Sequence, residues 1–109
     1  MDTSQAIAGL AAIAQESRLA VFRLLVQAGP DGLIASKISD QLGMPPSSLS
    51  FHLKELSRAD MVSVKQDGRF MIYTANFDTM NNLIAYLTEN CCGGHPCASD
   101  SACSSGTCG

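Results

Sequence analysis

The chain has 109 residues, seven Lys and Arg against ten Asp and Glu, and a formal net charge of −3 at pH 7. With 46% hydrophobic and 16% charged residues it reads as one globular domain, not as a disordered chain or an indiscriminate polyanion binder. No run of about 18 apolar residues offers a membrane span, and the start Met1-Asp2-Thr3-Ser4-Gln5 lacks the basic region of a secretion signal. The expected compartment is therefore the cytoplasm, where stable disulfides are unusual.

Ile7, Leu10, Ala11 and Ala14 recur at helical spacing and predict a first amphipathic helix. Ser17 is a candidate N-cap for a second helix, with Leu19, Phe22, Leu25 and Val26 as its apolar stripe. Ala28-Gly29-Pro30-Asp31-Gly32 ends it, since glycine and proline both disfavour further helix. A short helix is expected over Ile34 to Leu42, broken by Gly43. Pro45-Pro46 then starts another, because proline is tolerated in a helix's first turn, and Leu49, Leu53 and Leu56 form its stripe through about Ala59. Two short helices joined across Gly43-Met44-Pro45 make a helix-turn-helix.

After Asp60 the period switches to alternation. Met61 to Gln66 and Arg69 to Thr74 read as strands around an Asp67-Gly68 hairpin turn. Phe77, Met80, Leu83, Ile84 and Leu87 predict a last helix ending near Asn90. The order describes a mainly α winged helix-turn-helix domain with a β-hairpin wing over residues 1–90, and a cysteine-rich tail over 91–109.

Basic charge is concentrated in the middle of the chain: Lys37, Lys54, Arg58, Lys65 and Arg69 stand against Asp40, Glu55, Asp60 and Asp67. A helix can enter the DNA major groove, where base edges carry a distinct pattern of donors and acceptors. With the three leucines inward, Ser47, Phe51, Lys54 and Arg58 turn outward at about 100° per residue, flanked by Ser48, Ser50 and Glu55. The serines suit bases or phosphates, or cap the helix in the case of Ser47 and Ser48. Lys54 and Arg58 suit phosphates. Phe51 suits a thymine methyl or a partner subunit. His52, at the edge of the apolar stripe, is expected to be structural. At the hairpin tip, Lys65, Gln66 and Arg69 are placed to grip phosphates or the minor groove, the bland alternative being an ordinary charged turn.

Residues 47–56 (Ser-Ser-Leu-Ser-Phe-His-Leu-Lys-Glu-Leu), then Ala59-Asp60-Met61-Val62, resemble the S-x-HL-x-x-L-x-x-AGLV signature of the ArsR/SmtB repressors. Glu16-Ser17-Arg18-Leu19 and the wing from Asp67 to Tyr73 also match, and the likeness runs from about residue 7 to residue 90. It departs at Asp60-Met61, where glycine-leucine is usual. The resemblance implies a homodimer joined by the first and last helices, two recognition helices reading an inverted-repeat operator, and release from DNA by a bound metal or metalloid. Many arsenic-responsive members carry C-x-C-x-x-C before the recognition helix; here Ile34, Ser36 and Ser39 fall at those positions. Members that sense zinc through the last helix use histidines and carboxylates there; here Asp78 and Glu89 have no histidine beside them.

All five cysteines lie in the tail, an odd number that leaves at least one unpaired within the chain. The run Thr88-Glu89-Asn90-Cys91-Cys92, with Cys97 beyond, resembles arsenical repressors whose site follows the last helix. By that resemblance Cys91, Cys92 and Cys97 are the ligands of trivalent arsenic or antimony, a soft centre that takes three thiolates. Gly93-Gly94 and Pro96 suit the return loop such a cup needs. Zinc or cadmium would want a fourth ligand, for which His95, Cys103 and Cys108 are available. Redox sensing by the same thiols is a competing reading, weakened by their place at a helix C-terminus with no Lys or Arg after Arg69. Metal storage would need neither wing nor recognition helix, and an enzyme is the weakest expectation, since His95 is the only base near the cysteines.

Overall fold

The structure is a computed structural model and describes residues 1–90. In chain order it contains α1 (Thr3–Ile13), α2 (Glu16–Ala28), a 3-10 turn (Gly29–Asp31), β1 (Leu33–Ile34), α3 (Ala35–Leu42), α4 (Pro46–Arg58), β2 (Val62–Asp67), β3 (Phe70–Ala75) and α5 (Phe77–Leu87). This is the expected winged helix-turn-helix, with one strand more than the sequence suggested. Leu33–Ile34 pairs antiparallel with β3, making a three-stranded sheet of order β1-β3-β2.

Most of the helix starts, and the end of α3, have a local reason. Asp2 and Gln5 form a reciprocal capping box at α1. At α2 the cap is Gln15, whose side chain accepts from the Arg18 amide at 2.8 Å, so the expected cap Ser17 sits inside the helix. Gly43, at φ 63°, ends α3 in the left-handed conformation common after a helix. Pro46 opens α4 without any side-chain cap, so Ser47 and Ser48 do not cap it and remain exposed. Asn76 caps α5 by accepting from the Thr79 amide. That helix ends at Leu87, three residues before the expected Asn90.

The core gathers one stripe from each helix: Val21, Phe22 and Leu25 of α2, Ile38 of α3, Leu49, Leu53 and Leu56 of α4, and Leu83 of α5, closed below by Met61, Val62 and Ala75. In α2 the buried set replaces the expected Leu19 by Val21, and Leu19 is exposed. The larger correction is in α1, which buries its small residues Ala6, Gly9 and Ala12. A Cβ at Gly9 would stand 3.1 Å from the Met61 sulfur, so smallness on this face lets the helix sit close to the core. The predicted inward stripe of Ile7, Leu10, Ala11 and Ala14 is exposed throughout.

The wing register pairs Val62 with Ala75 and runs out to Asp67 opposite Phe70. The two-residue turn is therefore Gly68-Arg69, one residue later than Asp67-Gly68. Gly68 has φ 63° while Arg69 does not have positive φ, the arrangement of a type II′ turn with glycine first.

Asp60 links α4 to the sheet at φ 65°, a left-handed backbone that side chains other than glycine resist. Its carboxylate accepts from the Asn76 amide at 3.3 Å and the Thr79 hydroxyl at 3.2 Å, tying this corner to the start of α5. Asp60→Ala, which keeps the backbone penalty and loses both bonds, should lower stability by about 1–2 kcal/mol in urea unfolding. Asp60→Gly should cost less, because it removes the penalty along with the bonds. Among the described residues no helix is long and apolar enough to cross a membrane.

Candidate nucleic-acid interface

The expected contact residues of α4 all face outward. Ser47, Ser48, Ser50, Phe51, Lys54 and Arg58 are exposed, while Leu49, Leu53 and Leu56 fix the helix from behind. Pro46 and the left-handed Gly43 set where α4 starts, and a Ser39 hydroxyl bond to the Met44 carbonyl closes the turn between α3 and α4. The helix that carries the contact groups is thereby held rigidly while its outer face stays free of the core.

The outer face is polar and basic, with two qualifications. Arg58 pairs with Glu55 at 3.3 Å, yet its side chain is 66% exposed, so the pair is weakly held and open to competition by phosphate. Phe51 is 54% exposed but not isolated. The guanidinium carbon of Arg18 lies 5.9 Å from the centre of its ring, and the His52 ring meets it edge-on at 5.9 Å. His52 is half-buried, with Nδ1 enclosed and unpartnered among the described residues. Arg18 is a residue the sequence reading missed. A lone arginine early in an amphipathic helix reads as a solvated charge, and nothing local announces that it reaches α4.

The wing places Lys65, Gln66 and Arg69 on its exposed outer half. Gln66 spends its amide on the Gly68 carbonyl at 3.2 Å, which braces the turn. The antiparallel ladder joins the wing to β1, and β1 leads directly into α3. Helix-turn-helix and wing thus form one braced unit.

A second exposed surface lies on α1 and α5. Ile7 is 60%, Ile84 53% and Leu87 59% exposed, beside Leu10 and Ala11. The two helices touch each other through Thr3 and Tyr86, whose hydroxyls hydrogen-bond, so the apolar residues belong to neighbouring elements.

The proposed tail ligands Cys91, Cys92 and Cys97, and the further candidates His95, Cys103 and Cys108, lie outside the described residues. Among the described residues no three His, Cys, Asp or Glu side chains are grouped to hold a metal ion.

Residues 13–65 match the helix-turn-helix domain family. The chain is 28% identical over 78 residues to an HTH-type transcriptional regulator of Methanocaldococcus jannaschii, covering 72% of this chain and 85% of that protein. Among solved structures it is similar to an ArsR-like transcriptional regulator from Rhodococcus sp. RHA1, with a TM-score of 0.69, 23% identity and coverage of 77% of this chain and 76% of that one. It is also similar to the homodimeric winged helix-turn-helix DNA-binding domain of a possible ArsR-family regulator from Mycobacterium bovis, with a TM-score of 0.65, 20% identity and coverage of 84% and 85%.

Proposed function

We propose that this winged helix-turn-helix protein is a transcriptional regulator of the ArsR family, a homodimeric repressor released from its operator by a thiophilic metalloid. The observation that carries the reading is the recognition helix, whose entire outer face is exposed and bears serines, Lys54 and Arg58. The homodimeric neighbour supports dimerisation, and the unpartnered apolar residues of α1 and α5 supply a surface for it.

In this reading Lys54 and Arg58, with Lys65 and Arg69 on the wing, neutralise phosphates and position α4. Ser47, Ser48, Ser50 and Phe51 meet base edges. A dimer presents two such helices at a fixed separation, so it recognises two half-sites at fixed spacing.

The tail provides the inducer chemistry. Cys91 follows α5 by only four residues, with Cys92 adjacent and Cys97 beyond. Three thiolates match trivalent arsenic or antimony in softness and number, which is what that centre would supply when bound: a crosslink between segments of the tail. This chain's own part is mechanical. Inducer capture reorders the end of α5, α5 bears on the dimer contact, and the dimer contact sets the distance between recognition helices. Zinc or cadmium, with a fourth ligand from His95, Cys103 or Cys108, and closure by thiol oxidation are the competing inducers.

Fluorescence anisotropy of a labelled promoter fragment tests the reading, with reduced protein titrated first and arsenite, zinc or peroxide added separately. Arsenite alone should release the protein, weakening binding by about 5–150-fold. Serine at Cys91, Cys92 and Cys97 together should leave DNA affinity unchanged and abolish that release. Release by zinc or peroxide transfers the tail to the competing chemistry, and failure to bind any promoter fragment removes the repressor reading.

A further inference from the structure

Arg18 is placed in a way that helix stability does not explain. It lies in the first turn of α2, where the helix dipole disfavours a cation. It makes no ion pair: among the described residues the only salt bridge joins Arg58 to Glu55. Among the described residues its Nε is enclosed without a hydrogen-bond partner, an arrangement that costs stability when nothing is gained in return. Among the described residues the one specific contact of its side chain is the ring of Phe51, on the outward side of α4.

These facts describe a guanidinium whose stem is sunk at the α2–α4 junction and whose charge is parked on an exposed aromatic ring. A cation over an aromatic face is held in place without being neutralised. The neighbouring groove, about 220 Å³, is bounded by α1 alanines, Arg18, Glu55 and Arg58. Two guanidinium groups, of Arg18 and Arg58, face the single carboxylate of Glu55 there, so the groove carries a net positive charge. An unneutralised, pre-positioned arginine beside a recognition helix fits a phosphate, which accepts from the guanidinium fork through two oxygens.

We propose that Arg18 is a DNA-phosphate contact, stationed beside the recognition helix by the Phe51 ring, so that the interface extends from α4 and the wing to the start of α2. This rests on the DNA-binding reading and adds a residue to it. Phe51 becomes the positioning residue for this contact.

The test is the salt dependence of binding by the full chain to a mixed-sequence duplex, read by anisotropy, because a phosphate contact is sequence-independent. Each phosphate contact contributes about 0.9 to the slope of log affinity against log salt, so Arg18→Met should lower the slope by about 1.8 for a dimer. Methionine keeps an apolar stem over Phe51, and a thermal melt checks the fold. Arg18→Lys should keep most of the slope. An unchanged slope for Arg18→Met, whether or not affinity falls, overturns the proposal. Should the methionine variant not fold, ethylation interference decides between wild type and Arg18→Gln, which removes the charge and so the phosphate contact. Loss of interference at one phosphate per half-site upholds the contact, and identical patterns overturn it. Absence of DNA binding by the wild type removes the premise, a result distinct from an unchanged slope in a protein that binds.

Discussion

Gly32→Ala should destabilise the protein by roughly 3 kcal/mol or more, the largest effect expected of a single methyl group at any described glycine. Gly32 has φ 69° and ψ −170°, a backbone region essentially reserved for glycine. An added Cβ would also meet the Tyr73 carbonyl oxygen at 2.4 Å and the Thr74 methyl at 2.6 Å. The carbonyl belongs to the β3 backbone and cannot turn aside as a side chain would. Gly29 is the internal control, since φ 77° and ψ −163° place it in the same region with nothing within 4 Å of its would-be Cβ. Gly29→Ala should therefore show the conformational penalty alone, about 1–3 kcal/mol. In urea, at a slope of about 1–1.5 kcal/mol per molar, the Gly32 variant should lose about 2 M or more of midpoint. Equal shifts for the two variants would mean that β1 does not sit on β3 as described. The consequence reaches function, because β1 leads without a linker into α3 and couples the wing to the helix-turn-helix. A Gly32 variant still folded in the cold should bind DNA more weakly than the Gly29 variant.

The same residue shows where the sequence was legible and where it was not. Helix starts and stops at Pro46, Gly43 and Gly29 were readable because glycine and proline act locally, through their own backbone. The leucine stripe of α4 was readable because burial repeats with the helix period. β1 was not: two residues show no period, and Leu33 pairs with Tyr73, a partner far along the chain that no local pattern announces. The turn moved by one residue because Asp67-Gly68 and Gly68-Arg69 both contain the glycine, and only the ladder register chooses between them. The outward groups of α4 followed from the stripe. Arg18 did not, since its role depends on an α2–α4 packing that no local pattern encodes.

The reversal of α1 has a physical reason that leads to the second large prediction. Sequence logic turns the bulkiest apolar residues inward, yet this helix packs Ala6, Gly9 and Ala12 against the core and leaves Ile7 and Leu10 outside. Such an arrangement is unfavourable for a lone chain, which gains about 1.5–3 kcal/mol for each large aliphatic side chain it can bury. It becomes favourable when a second copy covers the face, and Ile84 and Leu87 add exposed apolar surface on α5, which touches α1. Ile84→Glu should therefore convert the protein to monomers. In a two-fold dimer the substitution appears twice at one self-complementary contact and buries two carboxylates without partners. In the monomer it changes a residue already 53% exposed, so helix content should persist. Affinity for a two-half-site promoter should fall by about 10²–10⁴-fold, the advantage of linked binding lost with the partner. Sedimentation and anisotropy check the two claims separately. Met71→Glu, at an exposed apolar position on the wing, is the control and should leave the dimer intact. A dimeric Ile84→Glu protein, or a Met71→Glu protein that dissociates, would move the interface off α1 and α5. It would also break the proposed route from the tail through α5 to the spacing of the recognition helices.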